Sequence, residues 1–438
     1  MQLTPKNDKK TIHSWAMYDW SNSVYSLVIA SAIFPAYYNQ VTSAGGSSQV
    51  EVLGWTVENT AIYSMSLGLA FGIVGLLSPF LSSIADYLGN HRMFMQAFCW
   101  MGSAACALLF FFTGPNILLG LACLMLATIG YAGSIVFYNA YLPAIATEDR
   151  QDHVSARGYA YGYIGSTTLL VISLLAIMNQ QNLGVKDDTL LPRLAFLLVG
   201  LWWFGFAWST FRRLPKGIYG RHGSEHFLVN GYQELLKVAR SLVGEPSLRY
   251  FLAAFFFYIM GVQTVMFMAA SFGEKEVGLG FTELIITVLV LEYVAIAGAF
   301  LFAWLSGKFG NIPALMTAVC TWIGVCIGAW FITNAVQFFA TGFFIGMVMG
   351  GIQSLSRSTF AKMIPKTENN AGYFGFYDVC EKVAIMCGLV LFGYLDNLTG
   401  SMRASILALG LWFLIGLFFL IRVRKALPGS FAIAGAQD

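Results

Sequence analysis

The sequence predicts an all-α polytopic membrane protein of twelve transmembrane helices, and three observations predict it. Of 438 residues, 57% are hydrophobic and only 11% charged, against about 25% charged in soluble domains. Twelve windows of about 20 mainly apolar residues, the length that crosses a bilayer, follow one another. Lysine and arginine alternate in abundance between loops. Twenty lie on the side of the N-terminus and four on the other, with Lys382 inside a window. Basic residues stay on the cytoplasmic side, so both termini are expected there.

The first window, 18–39, follows a lysine-bearing start with no cleavage site and reads as an uncleaved helix. Windows 60–84 and 93–113 flank the short loop "SSIADYLGNHR" (82–92). Window 115–140 is set off by "TGPN", whose Gly and Pro suit a tight turn. Windows 158–179 and 193–211 complete a first set of six. Windows 248–271, 281–305, 312–333, 335–357, 372–395 and 402–422 form a second.

The longest polar interruption, 212–247, separates the sets. Within it Leu228, Tyr232, Leu235, Ala239 and Leu242 recur at spacings of 4, 3, 4 and 3. That is one face of an amphipathic helix, expected to lie on the inner membrane surface, with partner binding as the alternative. The expected organisation is an N-terminal six-helix bundle (1–211), a cytoplasmic linker (212–247), and a C-terminal bundle with a cytoplasmic tail (248–438).

Several function classes lack support. There is no basic run suited to nucleic acid, no GxxxxGK[ST] phosphate loop and no HExxH. The five histidines are scattered, mostly over inner loops. The seven cysteines sit in apolar stretches without CxxC spacing, as small buried apolar residues do. No metal, cofactor or enzymatic activity is expected.

The loop at 82–92 has an echo in "AWLSGKFGNIP" (303–313), and Gly89 and Gly310 are each followed by Asn. A loop recurring at the same place in two six-span halves is one way transporters are built. "SSIADYLGNHR" resembles the signature loop of the major facilitator superfamily, with Asp86, Gly89 and Arg92 matching. Ser82 and Tyr87 depart from it, and Gly307 replaces the acid in the second copy. The stretches "WAMYDWSNSVYSLVIASAIFPAYY" (15–38), "FYNAYLPAIA" (137–146), "VSARGYAYGYIG" (154–165) and "GGIQSLSRSTFAKMIP" (350–365) resemble the vacuole-effluxer-like branch of that superfamily. Its fungal members are associated with amino-acid export from the vacuole.

The resemblance covers nearly the whole chain. It implies two six-helix bundles around a central cavity that opens alternately to either side. Spans 1, 4, 7 and 10 would line the cavity, with 2, 5, 8 and 11 beside them. Around 374–395 the branch commonly carries small residues before a Lys and Gly-Pro after it. Here Asp378 and Glu381 are added, and Leu389 stands in place of the Pro.

Charges inside spans mark the candidate site, because ionisable side chains rarely face lipid. Asp378 and Lys382 are an i,i+4 pair with Glu381 beside them, either a substrate-contacting cluster or a helix-locking ion pair. Glu292 sits alone near the middle of span eight. Desolvation there disfavours a charged carboxyl, so it is a candidate for proton coupling, or else a protonated helix-to-helix contact. Asp19 and Asn22 stand one turn apart on span one, as path residues or helix contacts. Tyr25 joins them as a cavity-lining candidate, with an aromatic belt as the alternative. Asn139, Gln263 and Gln353 are polar groups on spans that the resemblance makes cavity-lining, as path residues or helix-to-helix contacts. Asp86, Gly89, Arg92 and Arg357 are the candidate cytoplasmic latch and gate.

The expectation is a secondary active transporter of a small solute, amino acids being the named class and protons the candidate coupling ion. Sugars, peptides or drugs are the alternatives within transport. A non-transporting sensor or a lipid-acting membrane enzyme is the alternative of another class. A monomer in a bacterial inner membrane is expected.

Overall fold

A computed structural model describes residues 5–43, 49–52, 54–215, 227–366 and 369–427. Part of the expected linker (216–226), the side chain of Leu228 and the tail beyond residue 427 lie outside the described residues.

In chain order, α1 (Lys9–Val24) runs through a π-helical stretch (Tyr25–Ala32) into α2 (Ile33–Thr42). A small antiparallel hairpin follows, β1 (Gln49–Val52) and β2 (Trp55–Glu58), with Val50 opposite Val57. Next come α3 (Asn59–Leu88), α4 (His91–Leu108), α5 (Ile117–Ala140), the short α6 (Leu142–Ile145), α7 (Gln151–Met178) and α8 (Leu190–Arg213). The linker helix is α9 (Phe227–Gly244). The last six are α10 (Pro246–Val277), α11 (Phe281–Phe309), α12 (Asn311–Ala329), α13 (Ala335–Met363), α14 (Asn370–Thr399) and α15 (Met402–Ala426).

Ten of these helices are long and apolar enough to cross a membrane. The two further crossings are α1–α2, interrupted by its π stretch, and α14, which carries Asp378, Glu381 and Lys382. The twelve crossings coincide with the twelve apolar windows, and most run longer at the polar ends. The arrangement is two six-helix bundles. In the first, α1 packs on α7 and α8, and α4 on α5 and α8; in the second, α11 packs on α13, and α10 and α12 on α15. The bundles meet where α3 packs on α14 and where α7 packs on α11 and α13.

Local chemistry sets the ends. Asp8 caps α1 by accepting from the Thr11 amide and hydroxyl, at 2.8 and 2.7 Å. Those hydrogen bonds hold its carboxyl below the usual carboxylate range. Gly89 closes α3 at φ 62°, a left-handed conformation that a side chain disfavours. The π stretch in the first crossing has Ser31 donating to the Ser26 carbonyl five residues back, at 2.8 Å. Pro35, which has no N–H to give the helix, follows shortly after. The α11–α13 contact is backbone to backbone. A Cβ on Gly298 would strike the Met347 carbonyl, and one on Gly350 the Ala295 carbonyl.

The linker helix differs from expectation. The buried positions of α9 are Gly231, Glu234, Val238 and Leu242, while Tyr232 is exposed. That face packs on α3 and also touches α14 and α10. Asn230 donates to the Tyr87 hydroxyl at 2.8 Å, Asn369 to Glu234 at 2.9 Å, and Tyr373 to Ser241 at 2.8 Å. The helix therefore spans the seam between bundles. The apolar spacing read from sequence describes a neighbouring stripe, because the buried one includes a Gly and a hydrogen-bonded Glu.

Candidate functional site

The site is built where the bundles meet. Arg357, on α13 of the second bundle, is buried at 2% exposure and enters the first bundle. Its guanidinium donates to Asp19 on α1 at 3.3 Å and to Asn139 on α5 at 3.4 Å. It also donates to the Ser155 hydroxyl at 2.9 Å and the Ser155 carbonyl at 2.7 Å, both on α7. Three aromatic faces surround it: Tyr159 at 4.3 Å, Trp15 at 4.9 Å and Tyr138 at 5.4 Å. Tyr138 donates to Asp19 at 2.7 Å. A planar cation with five fixed donors fits such a socket, whereas a lysine would leave acceptors unmet. Gly158 makes the socket possible, since a Cβ there would lie 2.7 Å from the Asp19 carboxylate and 2.9 Å from the guanidinium.

Two further inter-bundle clusters lie on the same end of the molecule. Asp86, at the end of α3, accepts from the Ala371 amide at 3.1 Å and the Gly372 amide at 2.6 Å, in the first turn of α14. A carboxylate there complements the unpaired amides and dipole of the helix start. The side-chain partner of Asp86 is His91, whose ring nitrogen lies 2.6 Å away and is buried. Arg92, expected in that latch, instead donates to the Leu214 carbonyl at 3.0 Å, since it points toward the end of α8. In the third cluster Asp152 on α7 accepts from Lys362 on α13 at 2.7 Å, Ser306 on α11 at 2.7 Å and Asn311 on α12 at 2.8 Å. The second signature-like loop has no acid of its own, and the other bundle supplies one.

Deeper in the membrane, Asp378 lies eight residues into α14, about 12 Å along the helix. Lys382 sits 3.2 Å from both Asp378 and Glu381. Ser78 of the first bundle donates to Asp378 at 3.1 Å, and Gln263 on α10 approaches Glu381 at 3.5 Å. Asp378 and Lys382 are buried, while Glu381 is half-buried and within electrostatic reach of Tyr131 and Tyr159 across the seam. Gln353 accepts from Tyr163 at 2.8 Å, again across the seam. Glu292 on α11 is half-buried near Tyr163 and has no hydrogen-bond or ion-pair partner among the described residues.

Two candidates sit elsewhere. Tyr25 is buried within the first bundle, its hydroxyl 2.7 Å from Thr128 and its ring against Tyr131 and Trp203. Asn22 is buried beside Ser23, and its amide nitrogen has no partner among the described residues.

The family model described as "Vacuole effluxer Atg22 like" matches residues 7–427. The chain belongs to that family. An uncharacterized MFS-type transporter, YxiO of Bacillus subtilis (strain 168), is 32% identical over 421 residues, covering 96% of each chain. Autophagy-related protein 22-2 of Emericella nidulans is 23% identical over 481 residues, covering 87% of this chain and 80% of its own. The solved structure of the major facilitator superfamily transporter FucP, in the outward conformation, superposes with a TM-score of 0.71 at 12% identity. It covers 96% of this chain and 100% of that one. This Atg22-like protein is a multi-pass membrane transporter of the major facilitator type, a class that binds small solutes and is not enzymatic.

Several residues of these inter-bundle clusters escape reading by span. Trp15, Tyr138, Ser155 and Gly158 all fall inside the stretches that carry the family resemblance, which is the signal that marks them. Asp152 and Lys362 read as ordinary loop-end charges, and only the fold brings them together. His91 is hidden by the neighbouring Arg92, which matches the signature loop better.

Proposed function

We propose that the protein moves a small solute bearing an amino group, an amino acid being the named class, by alternating access with protons as the coupling ion. The observation that carries this reading is the set of bundle-to-bundle charge contacts around Arg357, Asp86 and Asp152, which seals the end bearing the termini. Buried ion pairs add little net stability but choose between arrangements, because breaking one strands a charge. The excess of loop Lys and Arg on the side of the termini supports a cytoplasmic location for them, and on that reading the described state is outward-facing. Opening inward then requires Arg357, Asp86 and Asp152 to release their partners.

Glu381 supports the amino-group assignment. It offers a half-buried carboxylate to an ammonium, with Lys382 and Gln263 beside it as donors to a solute carboxylate. Glu292 supports proton coupling, being a membrane-embedded carboxyl with no cationic neighbour to hold it charged. Asp19, Asn139 and Gln353 shape the inner floor of this path. The second-bundle charges hold its wall.

The test is flux in proteoliposomes over a panel of labelled amino acids, with and without an imposed pH gradient. Gradient-driven accumulation that Glu292→Gln abolishes supports the reading. Equal, gradient-independent equilibration in both proteins overturns proton coupling and leaves a facilitator. Absence of amino-acid flux overturns the solute class.

A further inference from the structure

A second feature lies on the outside of the first bundle, away from the path. Arg157 on α7 is half-buried, yet among the described residues it has no carboxylate partner. Its guanidinium meets only the Tyr161 hydroxyl at 3.0 Å, the His13 ring nitrogen at 3.3 Å and the Tyr161 ring face at 5.3 Å. Arg213, at the end of α8, is exposed, is within electrostatic reach of the same imidazole and has no acidic partner among the described residues either. Three helices thus converge with two arginines, a histidine and a hydroxyl, and no acid among the described residues. Every other half-buried or buried cation described above has one or more carboxylates, or a carbonyl, against it.

A partly desolvated guanidinium without a counter-ion is costly, and an anion beside it would offset that cost. His13 lies ahead of the first span. Burial, followed by the charges of Arg157 and Arg213, pushes its imidazole below the ordinary range. The two arginines therefore give this cluster more positive charge than its described residues balance, and an anion would relieve it.

The surroundings say which anion. The helix faces that carry His13 and Arg157 continue away from the termini as apolar rows. On α1, Met17 and Trp20 follow His13 at spacings of four and three. On α7, Ile164 lies one further turn beyond Tyr161 and is 36% exposed. Trp20 meets Phe206 of α8 at 5.9 Å, and Phe206 is itself 37% exposed. Trp208 is also exposed on α8, with Arg212 over its ring at 5.4 Å, as at a membrane interface. A basic mouth above an exposed apolar strip matches an amphiphile better than a free ion.

We infer that His13, Arg157, Tyr161 and Arg213 form a binding site for the phosphate headgroup of an anionic phospholipid, whose acyl chain lies along the Trp20–Phe206 strip. Planar guanidinium groups bind phosphate oxygens in bidentate fashion, and the tyrosine hydroxyl adds a donor. Basic pockets between helices on the cytoplasmic side hold such headgroups, each basic residue near the surface contributing about 1 kcal/mol. The site is distinct from the solute path, and the inference does not depend on which solute is moved.

The experiment is native mass spectrometry of the full chain in detergent, titrated with phosphatidylglycerol or phosphatidylcholine of the same acyl chains. Wild type should retain phosphatidylglycerol preferentially. Each loss of an arginine should weaken it about fivefold, and Arg157→Gln with Arg213→Gln together about 30-fold. Arg213→Gln alone changes only an exposed side chain, so its effect is read in a folded protein. Arg422→Gln, the same charge change elsewhere, should leave binding unaltered. Equal retention of both lipids, or equal loss in Arg422→Gln, overturns the site. Glycerol phosphate competing as well as the lipid would overturn the lipid assignment in favour of a soluble phosphate.

Discussion

Arg357 of the second bundle and Asp19 of the first form an ion pair 3.3 Å long, both side chains buried, across the seam between the bundles. It joins two bodies that the proposed alternating access would separate. Asp19→Asn removes the charge but keeps the shape, leaving the guanidinium buried with neutral partners. Removing one member of such a pair costs roughly 3–5 kcal/mol, whereas replacing both is much milder. Asp19→Asn should therefore lower the melting temperature more than the double variant Asp19→Asn/Arg357→Met. A cysteine at buried Ser358 should also react faster with maleimide in the single variant. Equal melting temperatures for all three proteins would show that the pair does not hold the closed end.

Gly158 tests the same socket without touching a charge. An added methyl would meet the Asp19 carboxylate, the Tyr138 hydroxyl at 2.8 Å and the Arg357 guanidinium together. Overpacking of this kind costs about 1–3 kcal/mol. Gly158→Ala should accelerate labelling at Ser358→Cys, as Asp19→Asn does. Gly205→Ala, where nothing lies within 4 Å of the added carbon, should leave labelling unchanged. Identical behaviour of the two alanine variants would mean that the socket is not tightly packed in solution.

Asp86 makes a different kind of bond, to the first amides of α14. Asp86→Asn weakens the charge-to-dipole contact, typically by about 1 kcal/mol, and strands His91. Spin labels on the termini-side ends of α3 and α14 should report a larger share of long distances in this variant. Arg92→Gln, which loses only its bond to the Leu214 carbonyl, should leave the distance distribution unchanged. A shift with Arg92→Gln alone would return Arg92 to the latch.

Hydropathy made the twelve crossings legible, because a bilayer demands some twenty apolar residues whatever the packing. The charges of α14 were also legible, since Asp378, Glu381 and Lys382 stand out against an apolar background. What sequence could not show was pairing between side chains distant along the chain. Asp152 and Lys362 are 210 residues apart and each looks like a loop-end charge. The π stretch at Tyr25–Ala32 was invisible too, because its composition is that of any apolar helix. The hairpin at 49–58 went unread for lack of a long alternating pattern. In α9 the apolar period was real, but contact with α3 selects the neighbouring stripe through Gly231, whose Glu234 hid it from an apolar reading.

That contact carries the last prediction. A Cβ on Gly231 would lie 2.6 Å from the Ile84 side chain and 3.3 Å from its backbone, so α9 rests directly on α3. Its other bonds reach Asn369 and Tyr373 of the second bundle, so the helix must shift whenever the bundles part at this end. Gly231→Val should lift α9 from α3 while leaving both six-helix bundles intact. Hydrogen exchange should then rise across 227–244 and stay unchanged in α4 and α12. Under the proposed alternating access, solute flux should change with it, because weakening the clasp favours opening at this end. Faster exchange in α9 with unaltered flux would mean that the linker helix only rides on the bundles and takes no part in holding them closed.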